Sequence, residues 1–186
     1  MSIQQPTGPS GSYFAALGVT TEVLNSVLKA AMSRGGDDCD LYFEHSSSTS
    51  VVLTDGTVNQ ASTQVTLGMG VRVRADEQVG YAYSEDLAPE ALRTAARTAA
   101  GIAQSAAPQS IPTPAAIELP NHYPVVQPWD RVEIATRVQM VRDWEQAAFA
   151  RDDRIKRVEV SLSDAAKVVM VVRPDGRLAE DWRPMT

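Results

Sequence analysis

Two histidines, His45 and His122, and a single cysteine, Cys39, are the residues of this chain best suited to bind a transition metal. A zinc site needs several such ligands, or carboxylates, at spacings that converge. The sequence contains no H-E-x-x-H, no H-E-x-x-x-H and no C-x-x-C. Cys39 and His45 lie six apart in a run that reads as a strand, so they share a face but stand about 20 Å apart when extended. They cannot hold one ion between them without a sharp bend, and no complete metal site is expected within these residues.

Other chemistries fare no better. Ser46, Ser47, Ser48, Thr49 and Ser50 follow His45, but a nucleophilic serine needs a strained turn and an oriented base, and no G-x-S-x-G is present. This stretch reads as a polar hairpin loop. Gly68-Met69-Gly70 begins like a dinucleotide fingerprint, yet Val73 occupies the third glycine position and no helix follows to receive a pyrophosphate. These glycines are expected at a bulge or where another backbone comes close. Asp37, Asp38, Asp40 and Glu44 cluster at a strand start and Glu85-Asp86 precede a helix, which suits caps and solvated strand ends better than acid–base work. No catalytic residue is expected in the chain.

The elements that would position these residues follow from periodicity. Cys39, Leu41 and Phe43 alternate with polar residues, as do Met69, Val71, Val73 and Ala75. Period two marks strands with one buried face. Ser46-Ser47-Ser48, Asp55-Gly56 and Asp76-Glu77 read as turns, so residues 38–84 are expected to form a meander of about five antiparallel strands. A helix should begin at Thr20-Thr21-Glu22, with a threonine cap and the stripe Val23, Leu24, Val27, Leu28 and Ala31, and stop at Gly35-Gly36. A second should begin at Pro89, burying Leu92, Ala95, Ala96, Ala99, Ile102 and Ala103. A third should be capped by Asp130 with Glu133, burying Ile134, Val138, Val141, Trp144 and Ala148. Strands at 155–163 and 167–173, a turn at Pro174-Asp175-Gly176 and a last strand at 177–184 complete the pattern.

Composition sets wider bounds. The chain is 44% hydrophobic and 22% charged, ordinary for a globular fold, with a net charge of −6. That acidity disfavours direct nucleic-acid or anionic-membrane binding, and no apolar run is long enough to span a membrane as a helix. With one cysteine no intrachain disulfide can form, and no secretory signal opens the sequence, so a cytoplasmic location is expected. Residues 1–18 read as a flexible lead-in that docks Tyr13, Phe14 and Leu17. Six of the 11 prolines fall in residues 107–129, an extended linker over the surface, or one held in a groove by Ile111, Ile117 and Leu119. Around it, residues 19–106 and 130–186 echo each other, each a helix followed by strands about an Asp-Gly turn. The second unit halts after its third strand, so the sequence reads as truncated, with 177–184 an uncovered edge expected either to self-associate or to leave the tail disordered. The fold class expected is α+β, antiparallel meander sheet layers with helices packed on one side.

The succession DLYFE, an Asp-Gly turn, GMGVRV, and GYAYSEDL before an alanine-rich helix resembles the N-terminal domain of the TldD/PmbA (TldE) metallopeptidase family, on its TldD-like branch. The resemblance runs through most of residues 20–186. It implies a parent enzyme with an H-E-x-x-x-H motif and a cysteine holding one zinc downstream, the motif glutamate acting as base on bound water. None of those positions occurs here, so this chain is expected to be inactive and without zinc of its own. It further implies cleavage of unfolded or extended peptides, and pairing with a PmbA/TldE-type subunit or as a homodimer. On that basis Gly68, Gly70, Arg72, Gly80, Tyr81 and Tyr83 are candidates for an interface or chamber wall. The rival expectation is a stand-alone protein-interaction module with no peptidase role.

Overall fold

The computed structural model describes residues 3, 10–104, 110–122, 124–125 and 128–185. Residues 1–2 and 4–9 of the lead-in, Pro108 and part of the proline-rich segment therefore lie outside the described residues. Among the described residues four α-helices, α1 (Ser12–Ala16), α2 (Thr21–Ala31), α3 (Pro89–Ile102) and α4 (Ile134–Phe149), accompany six strands. The strands are β1 (Asp38–Thr54), β2 (Thr57–Ala75), β3 (Gln78–Ser84), β4 (Ala115–Ala116), β5 (Glu159–Val172) and β6 (Arg177–Met185). They form one sheet in the order β3-β2-β1-β5-β6-β4. The α+β class with helices on one side of an antiparallel meander is as expected, apart from one short parallel pairing of β4 with β6.

The strands are fewer and longer than the turn signals suggested. Residues 38–84 form three strands rather than five, and 155–173 form one rather than two. Ser46-Ser47-Ser48 is the middle of β1, a strand of 17 residues paired on both sides, Ser47 facing Val65 of β2 and Ala166 of β5. The serine run marks a place where the sheet has little apolar cover. Asp55-Gly56 does turn the chain, with φ of 49° and 80°, the positive pair a tight hairpin requires.

Alternation gives β1, β2, β5 and β6 one apolar face. Cys39, Leu41, Phe43, Met69, Val71, Val73, Val168, Met170 and Trp182 meet α2 and α3 through Leu24, Leu28, Leu92, Ala96 and Ala99 in the main core. A smaller cluster, Val51, Leu53, Val141 and Leu162, lies at the far end of β1 beneath α4. The hydroxyl-rich middle of β1 separates the two. The helix starts at Thr20 and Pro89 fall where capping chemistry places them, with Thr20 Oγ1 accepting from Val23 N at 3.4 Å. The lead-in forms a short helix, and Phe14 is fully buried 5.5 Å from the Phe43 ring. Ile102 is exposed, outside the buried face of α3.

The α4 reading needs correction. Residues 129–131 make a 3-10 turn, and the helix begins later, with Glu133 at the N-cap and no side-chain cap bond. Its buried residues are Arg137, Val141 and Glu145, while Ile134 and Trp144 are exposed. Two hydrogen-bonded charges face the sheet where an apolar stripe was expected. The last strand is also less open than expected. Ala115 N donates to Gly176 O and Ile117 N to Leu178 O, both at 2.8 Å, and Glu180 N donates to Ser10 Oγ at 2.9 Å. The proline-rich segment thus covers the start of β6, with Ile111 and Val125 against the core and Ile117 and Leu119 exposed.

Candidate functional site

The sheet has one face under helices and one open face, and β2 and β3 distribute the candidate residues between them. On the open face Arg72 stands between Asp40 and Tyr81 in the register, and Gly70 between Tyr42 and Tyr83. Arg72 Nε donates to Asp40 Oδ1 at 2.9 Å, closing an ion pair. The Tyr81 ring leans over Gly70, its Oη 2.8 Å from where a Cβ would stand. Tyr81 and Tyr83 are 61% and 72% exposed, so two aromatic rings project from this face. Tyr42 Oη donates to Glu44 at 2.6 Å, and burial together with that carboxylate pushes the phenol up to about 12. Gly68 lies against backbone, a Cβ there being 2.8 Å from Ser84 O, which is the close approach its sequence context suggested. Gly80 belongs to the other face, where a Cβ would overlap the Ala99 carbonyl of α3. The structure therefore gathers Gly68, Gly70, Arg72, Tyr81 and Tyr83 on the open face and places Gly80 beneath a helix.

Beneath the helix layer, between the two apolar clusters, a cavity of about 390 Å³ opens over Ser47, Thr49, Thr63 and Ala166, with Val132 and Ile134 as its apolar wall. Arg137 and Asp164 form a nearly buried ion pair at its edge. The Arg137 guanidinium also donates to the carbonyls of Val132 and Trp129 and lies 5.7 Å from the Trp129 ring. Nearby, Glu145 accepts from Gly56 N at 2.7 Å and ties α4 to the β1–β2 turn. The sequence reading missed all three residues. Their signal was present as charges at 137 and 145, two turns apart on the helix face that also carries Val141.

A second buried polar group sits in the main core. His45 Nδ1 and Tyr13 Oη are 2.7 Å apart, and burial lowers the imidazole below its ordinary value. Glu180, also buried, accepts from the backbone N–H of Tyr13 at 3.2 Å and of Phe14 at 3.5 Å, and burial raises its carboxyl. Cys39 and His45 share a face of β1, as the spacing required, but Cys39 is buried and its thiol is pushed up to about 12 by burial and by Asp38 and Asp40. A thiol so reluctant to ionise is a poor metal ligand or nucleophile. His122 is exposed in the proline-rich segment, and no group of three or more His, Cys, Asp or Glu among the described residues could hold a metal ion. The residues present do not fit a zinc site.

Comparison with solved structures places this architecture in a known class. The fold matches a putative modulator of DNA gyrase from Bacteroides thetaiotaomicron with a TM-score of 0.66 at 16% identity, over 89% of this chain and 40% of that one. It matches TldE from Thermococcus kodakarensis with a TM-score of 0.60 at 15% identity, over 87% and 36%. Sequence narrows the class to a family. Residues 39–103 match the model of PmbA/TldA metallopeptidase domain 1. A metalloprotease TldD homolog of Haemophilus influenzae is 30% identical over 170 residues, 90% of this chain and 35% of the relative. One from Buchnera aphidicola (subspecies Schizaphis graminum) is 25% identical over 146 residues, 78% of this chain and 30% of the relative. The chain belongs to the TldD/PmbA family and carries its N-terminal domain. It spans about a third of the length of the curated relatives it matches.

Proposed function

We propose that this chain is the non-catalytic N-terminal domain of a TldD-like zinc metallopeptidase that cleaves unfolded or extended peptides. The observation that carries the reading is the match of residues 39–103 to the family's first domain. In this reading the catalytic zinc and its ligands belong to the parent enzyme, outside these residues. The domain walls the peptide chamber with its open sheet face, to which Arg72, Tyr81 and Tyr83 contribute, and supplies contacts to a PmbA/TldE-type subunit or a second copy. The parent works in the cytoplasm, and no described helix is long and apolar enough to cross a membrane.

Metal analysis after dialysis, together with an assay on an unfolded peptide, tests the non-catalytic role. The expected result is less than stoichiometric zinc and no zinc-dependent cleavage by this chain. One tightly held zinc per chain, or cleavage that a chelator abolishes, overturns it.

A further inference from the structure

Along β1 the helix-covered face runs Cys39, Leu41, Phe43 and His45, then Ser47 and Thr49, then Val51 and Leu53. Its apolar pattern lapses in the middle and resumes, and the neighbouring strands lapse at the same level. The register sets Thr49 beside Thr63 of β2 and beside Asp164 of β5. A polar row therefore crosses three strands, on a face that is apolar towards both of its ends. The cavity of about 390 Å³ stands over this row. Its volume lies at the lower end of the range of about 300–1,000 Å³ that small-molecule sites occupy. Thr63 and Ile134, which line it, are exposed, so it opens to solvent on that side.

We propose that this cavity binds a small neutral polyol of monosaccharide size, its hydroxyls bonding those of Ser47, Thr49 and Thr63 and its C–H face lying on Val132, Ile134 and Ala166. The chemistry of the lining selects that class. Among the described residues that line the cavity, Arg137 and Asp164 alone are charged, and they pair with each other. The guanidinium also donates to the carbonyls of Val132 and Trp129. An anion would meet the Asp164 carboxylate and a cation would meet the guanidinium, so neither gains a net attraction. A wholly apolar ligand would strip water from three hydroxyls and return no hydrogen bond. A hydroxyl donates one hydrogen bond and accepts two. Thr49 and Thr63 share one bond at 3.2 Å, which leaves both with further capacity. Ligand hydroxyls match that mixed capacity, whereas an amide fixes its donor and acceptor in place. The inference does not depend on the peptidase reading.

Saturation-transfer NMR and calorimetry on the full chain test this, with glucose, galactose, mannose and myo-inositol as probes. Direct binding is needed because sugars are excluded from protein surfaces and raise the melting point of any protein. At least one probe should bind saturably, with a Kd on the order of millimolar for so small a ligand. Glucuronate and glucosamine, which bring an uncompensated charge, should bind about tenfold more weakly. Thr63→Val and Ser47→Val each remove one hydroxyl and keep a residue suited to a strand. Each should weaken binding about three- to tenfold with circular dichroism unchanged. Thr63→Ser keeps the hydroxyl and should bind like wild type. If Ser47→Val disturbs the fold, Thr63→Val decides alone, since its position is exposed. The proposal is overturned if none of the four probes saturates, or if the charged sugars bind as tightly as the neutral ones. Unchanged affinity in a folded Thr63→Val variant, or acetamide binding where the polyols do not, would overturn it as well.

Discussion

His45 is buried in the main core with its Nδ1 facing the Tyr13 hydroxyl, so its protonation is coupled to the docking of the lead-in helix. Burial places its folded pKa below the ordinary 6.5. Below pH 6.5 the unfolded chain therefore binds more protons than the folded one, and stability falls as pH drops through that value towards the folded pKa. Glu180 has the opposite sign. Its folded pKa lies above 4.5 because it is buried, so its contribution is present at low pH and is lost as pH rises through the folded value. Replacing His45→Gln should flatten the loss of stability just below pH 6.5 and leave the Glu180 dependence in place. Urea midpoints measured across that range on both proteins check this. An unchanged slope in the variant would assign the acid sensitivity to other groups.

At the scale of elements, legibility in the sequence followed the physical origin of each signal. Caps are local, so Thr20 and Pro89 marked the starts of α2 and α3 directly. The Asp55-Gly56 turn was legible because positive φ at two successive positions restricts residue choice. Strand continuity through Ser46–Ser50 was not legible, because apolar alternation reports burial and this part of the sheet faces a cavity on one side and solvent on the other. The face of α4 was misread for a related reason. Arg137 and Glu145 are buried through partners distant in sequence, Asp164 and Gly56, which no local pattern reveals. Of the six candidate site residues, five lie on the open face; Gly80 departs because alternation in β3 turns it towards α3. Its lack of a Cβ lets the helix backbone lie directly on the strand. Gly80→Ala should cost about 1–3 kcal/mol, the usual penalty of overpacking a core. Gly70→Ala should cost less, since the Tyr81 side chain it meets can rotate away. Urea denaturation of the two variants compares them, and equal losses would mean that α3 shifts freely on β3.

The whole molecule joins through the β1–β5 pairing, whose register runs unbroken from Leu41↔Val172 to Thr54↔Glu159. That seam lies between the two halves that the sequence echo suggested, residues 19–106 and 130–186. Each half contributes to both apolar clusters: Trp182 and Val168 stand in the core with Phe43, and Val51 and Leu53 stand under α4. Neither half can lose its strands without exposing the other's buried face, so unfolding should be a single transition. The tryptophans make this measurable. Trp129, Trp144 and Trp182 all lie in or just before the second half, while the helices and strands of both halves contribute to far-UV circular dichroism. Fluorescence and dichroism should therefore trace the same urea curve with the same midpoint. If fluorescence changed first, with helix and strand signal persisting, α4, β5 and β6 would be peeling from a first half that stands without them. The β1–β5 seam would then be a docking contact between two units and not the middle of one sheet.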